Sequence, residues 1–122
     1  MNLKPLIQKI FAIDDDIRYV AVADRAFRLV ESKMRENTPT LTSGEIDRDF
    51  FSWVPPVMIE GVSKLRAYFG SVLTVAIQYE KLLAIYIPVE DYVIALTVNV
   101  ETKTSPFQIA RSVKTIVESS QT

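Results

Sequence analysis

Apolar residues recur along this chain in two periods, one helical and one alternating, and the polar breaks between them divide it into eight elements. Leu3, Leu6, Ile7, Ile10 and Phe11 stand at i, i+3, i+4, i+7 and i+8. That spacing puts one apolar stripe on a helix over 3–13. Pro5 falls in the first turn, where the lost amide donor does little harm. Two strands follow, at 17–23 and 26–34. The run 19–23 is apolar on both faces, which predicts a central strand covered from both sides. The second strand alternates, with Phe27, Leu29 and Glu31 facing one way and Arg28, Val30 and Ser32 the other. Its charges fit an edge position. The turn at Asp24-Arg25 has no glycine, so its type is left unassigned.

After a polar loop over 35–41, Thr42 and Glu45 form a capping box at the head of a helix. The apolar positions Ile46, Phe50, Trp53, Val54, Val57, Met58, Val62, Leu65 and Phe69 carry that helix towards Gly70, a plausible residue for its C-terminal stop. Pro55-Pro56 interrupts it. A proline inside a helix costs around 3 kcal/mol. The segment is therefore either one kinked helix or two helices meeting at Val54, the second opened by proline in its first turn.

Three strands rich in Val, Ile, Leu and Tyr come next, at 72–80, 82–89 and 92–100. The breaks at Glu80-Lys81 and Glu90-Asp91 are short enough for hairpins, so the three form an antiparallel meander with 92–100 central. Ser105 caps a final helix over 106–119 that opens on Pro106. Phe107, Ile109, Ala110, Val113, Ile116 and Val117 make its buried stripe. The order α-β-β-α-β-β-β-α, with strands apolar on both faces, predicts an α+β fold: a five-stranded antiparallel sheet with helices on both sides.

Composition narrows the function. The 122 residues predict a single domain spanning 1–122. The chain has no cysteine and no histidine, which removes disulfide scaffolds, thiolate or imidazole metal sites, thiol nucleophiles and the Ser-His-Asp triad. The net charge of −1 is evenly spread: residues 1–61 hold 8 basic and 10 acidic groups, residues 62–122 hold 6 and 5. No basic face is marked for nucleic acid, no apolar run is long enough to span a membrane, and no signal peptide is visible. A cytoplasmic protein without cofactor, metal or catalytic residue is expected.

The element order resembles that of the roadblock / dynein light-chain superfamily over nearly the whole chain. The stretch Ile17-Arg18-Tyr19-Val20-Ala21-Val22-Ala23-Asp24, an apolar strand ending on an acidic turn residue, carries the resemblance best. The wording also resembles that of short archaeal proteins. The first hairpin turn departs from the family in lacking glycine, the loop 35–44 is long, and Pro55-Pro56 is unusual in the middle helix. Profilin, longin, PAS and GAF domains share much of the architecture, although longin domains lack a helix before the first strand. The resemblance implies a homodimer in which the middle helix and third strand pair across a two-fold axis. It also implies a role as a platform for small GTPases, motors or scaffolds.

Transferred to this chain, the resemblance puts the dimer face on helix 43–69 and strand 72–80, with Thr74 and Ala76 on the strand. The helix itself supports that placement. Its larger apolar side chains other than Ile59 spread over roughly 180° of the wheel, against a little over 100° for one buried face. Phe51, Met58, Val62 and Phe69 lie on one flank of this arc and are the expected partner contacts. A rotation of the stripe at Pro55-Pro56 would instead bring them all to one core.

Other clusters are weaker. Asp14, Asp15 and Asp16 lack the alternation and the glycine of a calcium loop, so local turn bonds are the expected use. Carboxylate pairs such as Asp47/Glu60 and Glu90/Asp91 read as solvated surface. Arg25, Arg28, Lys33 and Arg35 read as edge protection rather than a phosphate or acidic-partner grip. Gly44, Gly61 and Gly70 match no phosphate loop. An interaction module is thus expected first. A PAS/GAF-like small-molecule sensor is the alternative, with a pocket lined by residues such as Trp53, Tyr79 and Tyr86.

Overall fold

The computed structural model describes residues 2–38, 56–60 and 65–120. Helix α1 (Leu3–Phe11) begins where Asn2 Oδ1 accepts the Lys4 amide at 3.3 Å. It buries Leu6, Ile7 and Ile10, the centre of the expected stripe. Strands β1 (Ile17–Asp24) and β2 (Leu29–Met34) form the first hairpin.

Its turn is built around Asp24 in place of a glycine. Phe27 N–H donates to the Asp24 carbonyl at 3.0 Å, and Asp24 Oδ1 accepts the amides of Ala26 (2.9 Å) and Arg28 (3.1 Å). Phe27 takes the left-handed conformation at φ 62°. That geometry costs a side-chain-bearing residue roughly 1–2 kcal/mol. Burial of the ring against the sheet offsets it. The pairing slips by one residue between Val22 and Ala23, so β2 does not keep one alternation along its length.

Strands β3 (Val75–Gln78), β4 (Leu83–Val89) and β5 (Tyr92–Val98) form the expected meander. The sheet order is β2-β1-β5-β4-β3, antiparallel throughout, so β5 is central and β2 and β3 are the edges. β3 is shorter than the expected 72–80 because only four of its residues pair with β4. The β4–β5 turn needs a positive φ (54°), which Glu90 supplies.

Two further helices are described: α2 (Arg66–Phe69), a short one that precedes β3, and α3 (Pro106–Ser120), which follows β5. The sheet has two unlike faces. Val20, Val22, Ile85, Ile87, Ile94 and Leu96 form an aliphatic face under α1 and α3. Leu6, Ile7 and Ile10 of α1 and Ile109, Val113 and Val117 of α3 complete that cluster. Each such side chain contributes roughly 1.5–3 kcal/mol on full burial. The opposite face carries Tyr19, Ala21, Ala23, Ala84, Tyr86, Val93 and Ala95. Ile59 packs there, from a π-helical turn over Pro56–Glu60.

Two expectations change, and one region is not described. The capping box at Thr42 and Glu45, and most of the Pro55-Pro56 junction, lie outside the described residues. Within them, Pro56 opens the π-helical turn, and Ile59, which the helical stripe left out, is the side chain that reaches the sheet. A π turn has more residues per turn than an α-helix, so it shifts the phase of the residues after it. Phe107, expected in the buried stripe of α3, is 56% exposed. It lies in the first turn, off the arc of Ile109, Ala110, Val113 and Val117. Ser105 does cap that helix, its Oγ accepting the Phe107 amide at 3.2 Å.

Candidate functional site

The β3 edge is short, apolar and uncharged, reading Val75-Ala76-Ile77-Gln78. Tyr79 N–H donates to the Leu82 carbonyl at 2.8 Å, which turns its backbone towards β4. Peptide direction alternates along a strand, so Ile77 and Val75 also face β4, while Ala76 and Gln78 face away from the sheet. Among the described residues no strand pairs with their N–H and C=O groups.

Large apolar side chains surround this edge in sequence. Leu73 precedes it and Tyr79 follows it, both exposed. In α2, Tyr68 and Phe69 are 81% and 80% exposed, and Leu65 and Met58 are also open. Gly70 ends α2 at φ 82°, its amide donating to the Arg66 carbonyl at 2.9 Å. A side chain would be strained in that conformation, so glycine is required where the chain leaves α2 for β3.

Of the six expected contact residues, Phe51 and Val62 lie outside the described residues. Met58 and Phe69 are exposed, and Thr74 and Ala76 are half-buried. Ala76 pairs with Ile85 and shares its side of the sheet, the side of α1 and α3. Met58 belongs instead to the turn that covers the other side. Ala76 can therefore serve an edge contact mainly through its backbone. The pattern of the sequence did not single out Leu73 or Tyr68, and it offered Tyr79 only as a pocket residue of the sensor alternative. Their position beside an edge strand was the missing information.

The remaining polar clusters are structural. Asp14 Oδ1 accepts the Asp16 amide at 2.8 Å and Oδ2 accepts the Thr104 hydroxyl at 2.6 Å. The Thr104 bond, followed by that of the Asp16 amide, holds the Asp14 carboxyl below its ordinary pKa. Asp16 accepts from Asn99, which in turn accepts from Arg18. No group of three or more potential metal ligands stands together among the described residues.

Arg35 donates from Nη2 to the carbonyls of Phe11 (2.7 Å) and Asp14 (2.9 Å) and from Nε to that of Ile17 (2.7 Å). Its guanidinium also stacks over the Phe11 ring at 4.9 Å. Arg25 donates twice to the Glu90 carbonyl, and Arg28 pairs with Asp24 at 2.9 Å. The backbone amide of Arg28 is the largest cause of the lowered Asp24 pKa. These three arginines fasten turns and strand ends.

A cleft of about 280 Å³ lies between α1 and β2, lined by Lys4, Ile7, Gln8, Glu31, Ser32 and Lys33. Another of about 230 Å³ lies beside Gln78, Leu83, Val100, Thr102, Thr104 and Pro106. Neither lining includes Tyr79 or Tyr86. Tyr86 is fully buried in the sheet face, where burial, and then Tyr79, push its phenol pKa up. Tyr79 is exposed, and Trp53 lies outside the described residues. The sensor pocket therefore gains no support from these side chains. No helix among the described residues is long and apolar enough to cross a membrane.

No protein-family model matches the sequence, and no curated protein is significantly similar to it. Solved structures do match. The Roadblock/LC7 domain from Streptomyces avermitilis superposes with a TM-score of 0.70 at 10% identity, covering 100% of both chains. The gliding protein MglB from Thermus thermophilus gives 0.63 at 13% identity, over 94% of this chain and 87% of its own. MglB from Myxococcus xanthus gives 0.65 at 12% identity, over 98% and 99%. The chain has the roadblock fold, as its element order leads one to expect. At such low identity the likeness is one of fold.

Proposed function

We propose that this protein is a non-enzymatic interaction module that forms a homodimer through the β3 edge and the apolar surface beside it. We further propose that the dimer is a scaffold for, or regulator of, a small GTPase. One observation carries the self-association: an uncharged edge strand next to Tyr68, Phe69 and Leu73, all well exposed. An edge of that kind invites pairing unless something covers it. Exposed aromatic side chains that group on one surface mark an interaction site.

The GTPase reading rests on the roadblock fold and on the role that the family resemblance implies. The lack of histidine and cysteine supports a non-enzymatic role, since the commonest base and the strongest nucleophile are missing. An influence on GTP hydrolysis would work by positioning the partner's own groups.

Two measurements test the proposal. Sedimentation equilibrium of the wild-type chain is expected to show self-association into a dimer or a larger species built from it, and Phe69→Glu to remove the β3 contact and reduce the mass of that species, with an unchanged circular dichroism spectrum. A wild-type monomer at all concentrations contradicts the dimer. For the GTPase, immobilised protein is incubated with native cell lysate, and captured proteins are assayed for GTP hydrolysis with and without added protein. A captured GTPase whose hydrolysis rate or nucleotide exchange shifts supports the regulator. Capture without any GTPase contradicts it.

A further inference from the structure

The other edge of the sheet carries a pattern of its own. Strand β2 reads Leu29-Val30-Glu31-Ser32-Lys33-Met34. Arg35 N–H donates to the Arg18 carbonyl at 2.8 Å, so Arg35 turns its backbone towards β1. By alternation Lys33 and Glu31 do the same, and Ser32 and Met34 present their N–H and C=O groups outwards. The side chains of Glu31 and Lys33 lie on the α1 side, opposite Val22 and Val20, and line the cleft there. Neither makes an ion pair among the described residues. Val30 is half exposed.

We infer that β2 is a second homotypic interface, pairing antiparallel with β2 of another copy about a two-fold axis at Ser32. The argument is one of register. An added antiparallel strand must set the outward-facing residues opposite one another, so the pairing shifts only in steps of two. With Ser32 opposite Ser32 of the second copy, Glu31 faces Lys33 of that copy, and Lys33 faces its Glu31. A shift one step either way sets Glu31 against Glu31 or Lys33 against Lys33. Opposite charges across a strand pair are favourable and like charges unfavourable, so the sequence selects the Ser32-centred register.

This surface is separate from the β3 edge, which lies at the far end of the sheet. A chain that used both edges would assemble beyond a dimer. The charges would then do two tasks, discouraging foreign strands and choosing the register of a like one.

The test is a charge swap read by sedimentation velocity over a concentration series. Glu31 and Lys33 are at the surface, so the variants are expected to keep the wild-type circular dichroism spectrum. Wild-type protein is expected to form a species larger than the β3-paired dimer. Lys33→Glu, which sets Glu31 against a glutamate, should weaken that species roughly tenfold or more. The double variant Glu31→Lys with Lys33→Glu restores opposite charges and should restore the assembly. In a Phe69→Glu background the β2 contact should remain as a dimer that Lys33→Glu alone removes. Failure of the β3 reading would leave Phe69→Glu without effect while the charge swap still governed assembly. The β2 inference is overturned if neither background shows a species sensitive to Lys33→Glu, or if the double variant does not recover what the single variant lost.

Discussion

β2 and β3 are both edge strands, yet their ends are secured differently. β2 starts from a turn organised by the Asp24 carboxylate and ends at Arg35, whose guanidinium reaches the carbonyls of Phe11, Asp14 and Ile17. Its exposed face alternates charge. β3 has four paired residues and no charge, and it is reached from a helix that leaves Tyr68 and Phe69 in solvent. Polar side chains at its two ends fasten the first edge. Apolar side chains beside the second, Tyr68, Phe69 and Leu73, are exposed. The contrast shows how one sheet can fasten one edge strand with its own side chains and leave exposed apolar side chains beside the other.

The largest expected effect comes from unfastening β2. Arg35→Met keeps the stem but strips donors from three carbonyls, and should lower the unfolding free energy by about 3 kcal/mol. Urea denaturation measures that loss, and the β3 dimer should persist in the folded fraction. Phe69→Glu acts on the other edge. It should weaken self-association by about 2 kcal/mol, roughly 30-fold. Its effect on the stability of the single subunit should stay within about 0.5 kcal/mol, because the ring is exposed there.

A smaller and opposite effect is expected at the β4–β5 turn. Arg25 holds the Glu90 carbonyl, a backbone atom, so Glu90→Gly keeps this tie and relieves the positive φ. The melting temperature should rise, by about 0.5 kcal/mol of stability once the added freedom of the unfolded glycine is subtracted.

The smallest effect is a pH dependence. The Asp14 pKa is lowered in the folded chain, so its carboxylate adds stability above the ordinary carboxylate range and loses it as pH falls through the lowered value. Thr104→Val removes the largest cause of the shift. Its stability deficit should therefore be greatest near neutral pH and shrink in acid, as acid titrations of denaturant midpoints would show.

Much of the fold was legible because its elements obey simple periods. The stripe of α1, the doubly apolar β1 and β5, the edge position of β2 and the Ser105 cap all follow from local spacing. The length of β3 was not legible, since Val72, Leu73 and Tyr79 look like strand residues and only pairing with β4 decides which belong to it. Ile59 was missed because a π turn breaks the helical phase on which the stripe was counted. At the candidate site, the excess width of an apolar arc had marked Phe69 and Met58, which are exposed, whereas the exposure of Leu73 and Tyr68 depends on tertiary placement. Arg35 was read only as edge protection, because its carbonyl partners come from the end of α1, the loop before β1 and β1 itself.

Amide hydrogen exchange at Ala76 and Gln78 tests the central claim most directly, because their N–H groups point away from β4 and have no acceptor within the sheet. Pairing of β3 between two copies predicts slow exchange at both amides in concentrated protein, becoming fast on dilution and in Phe69→Glu. Fast exchange at both amides in concentrated wild-type protein, with β4 and β5 protected, would contradict it.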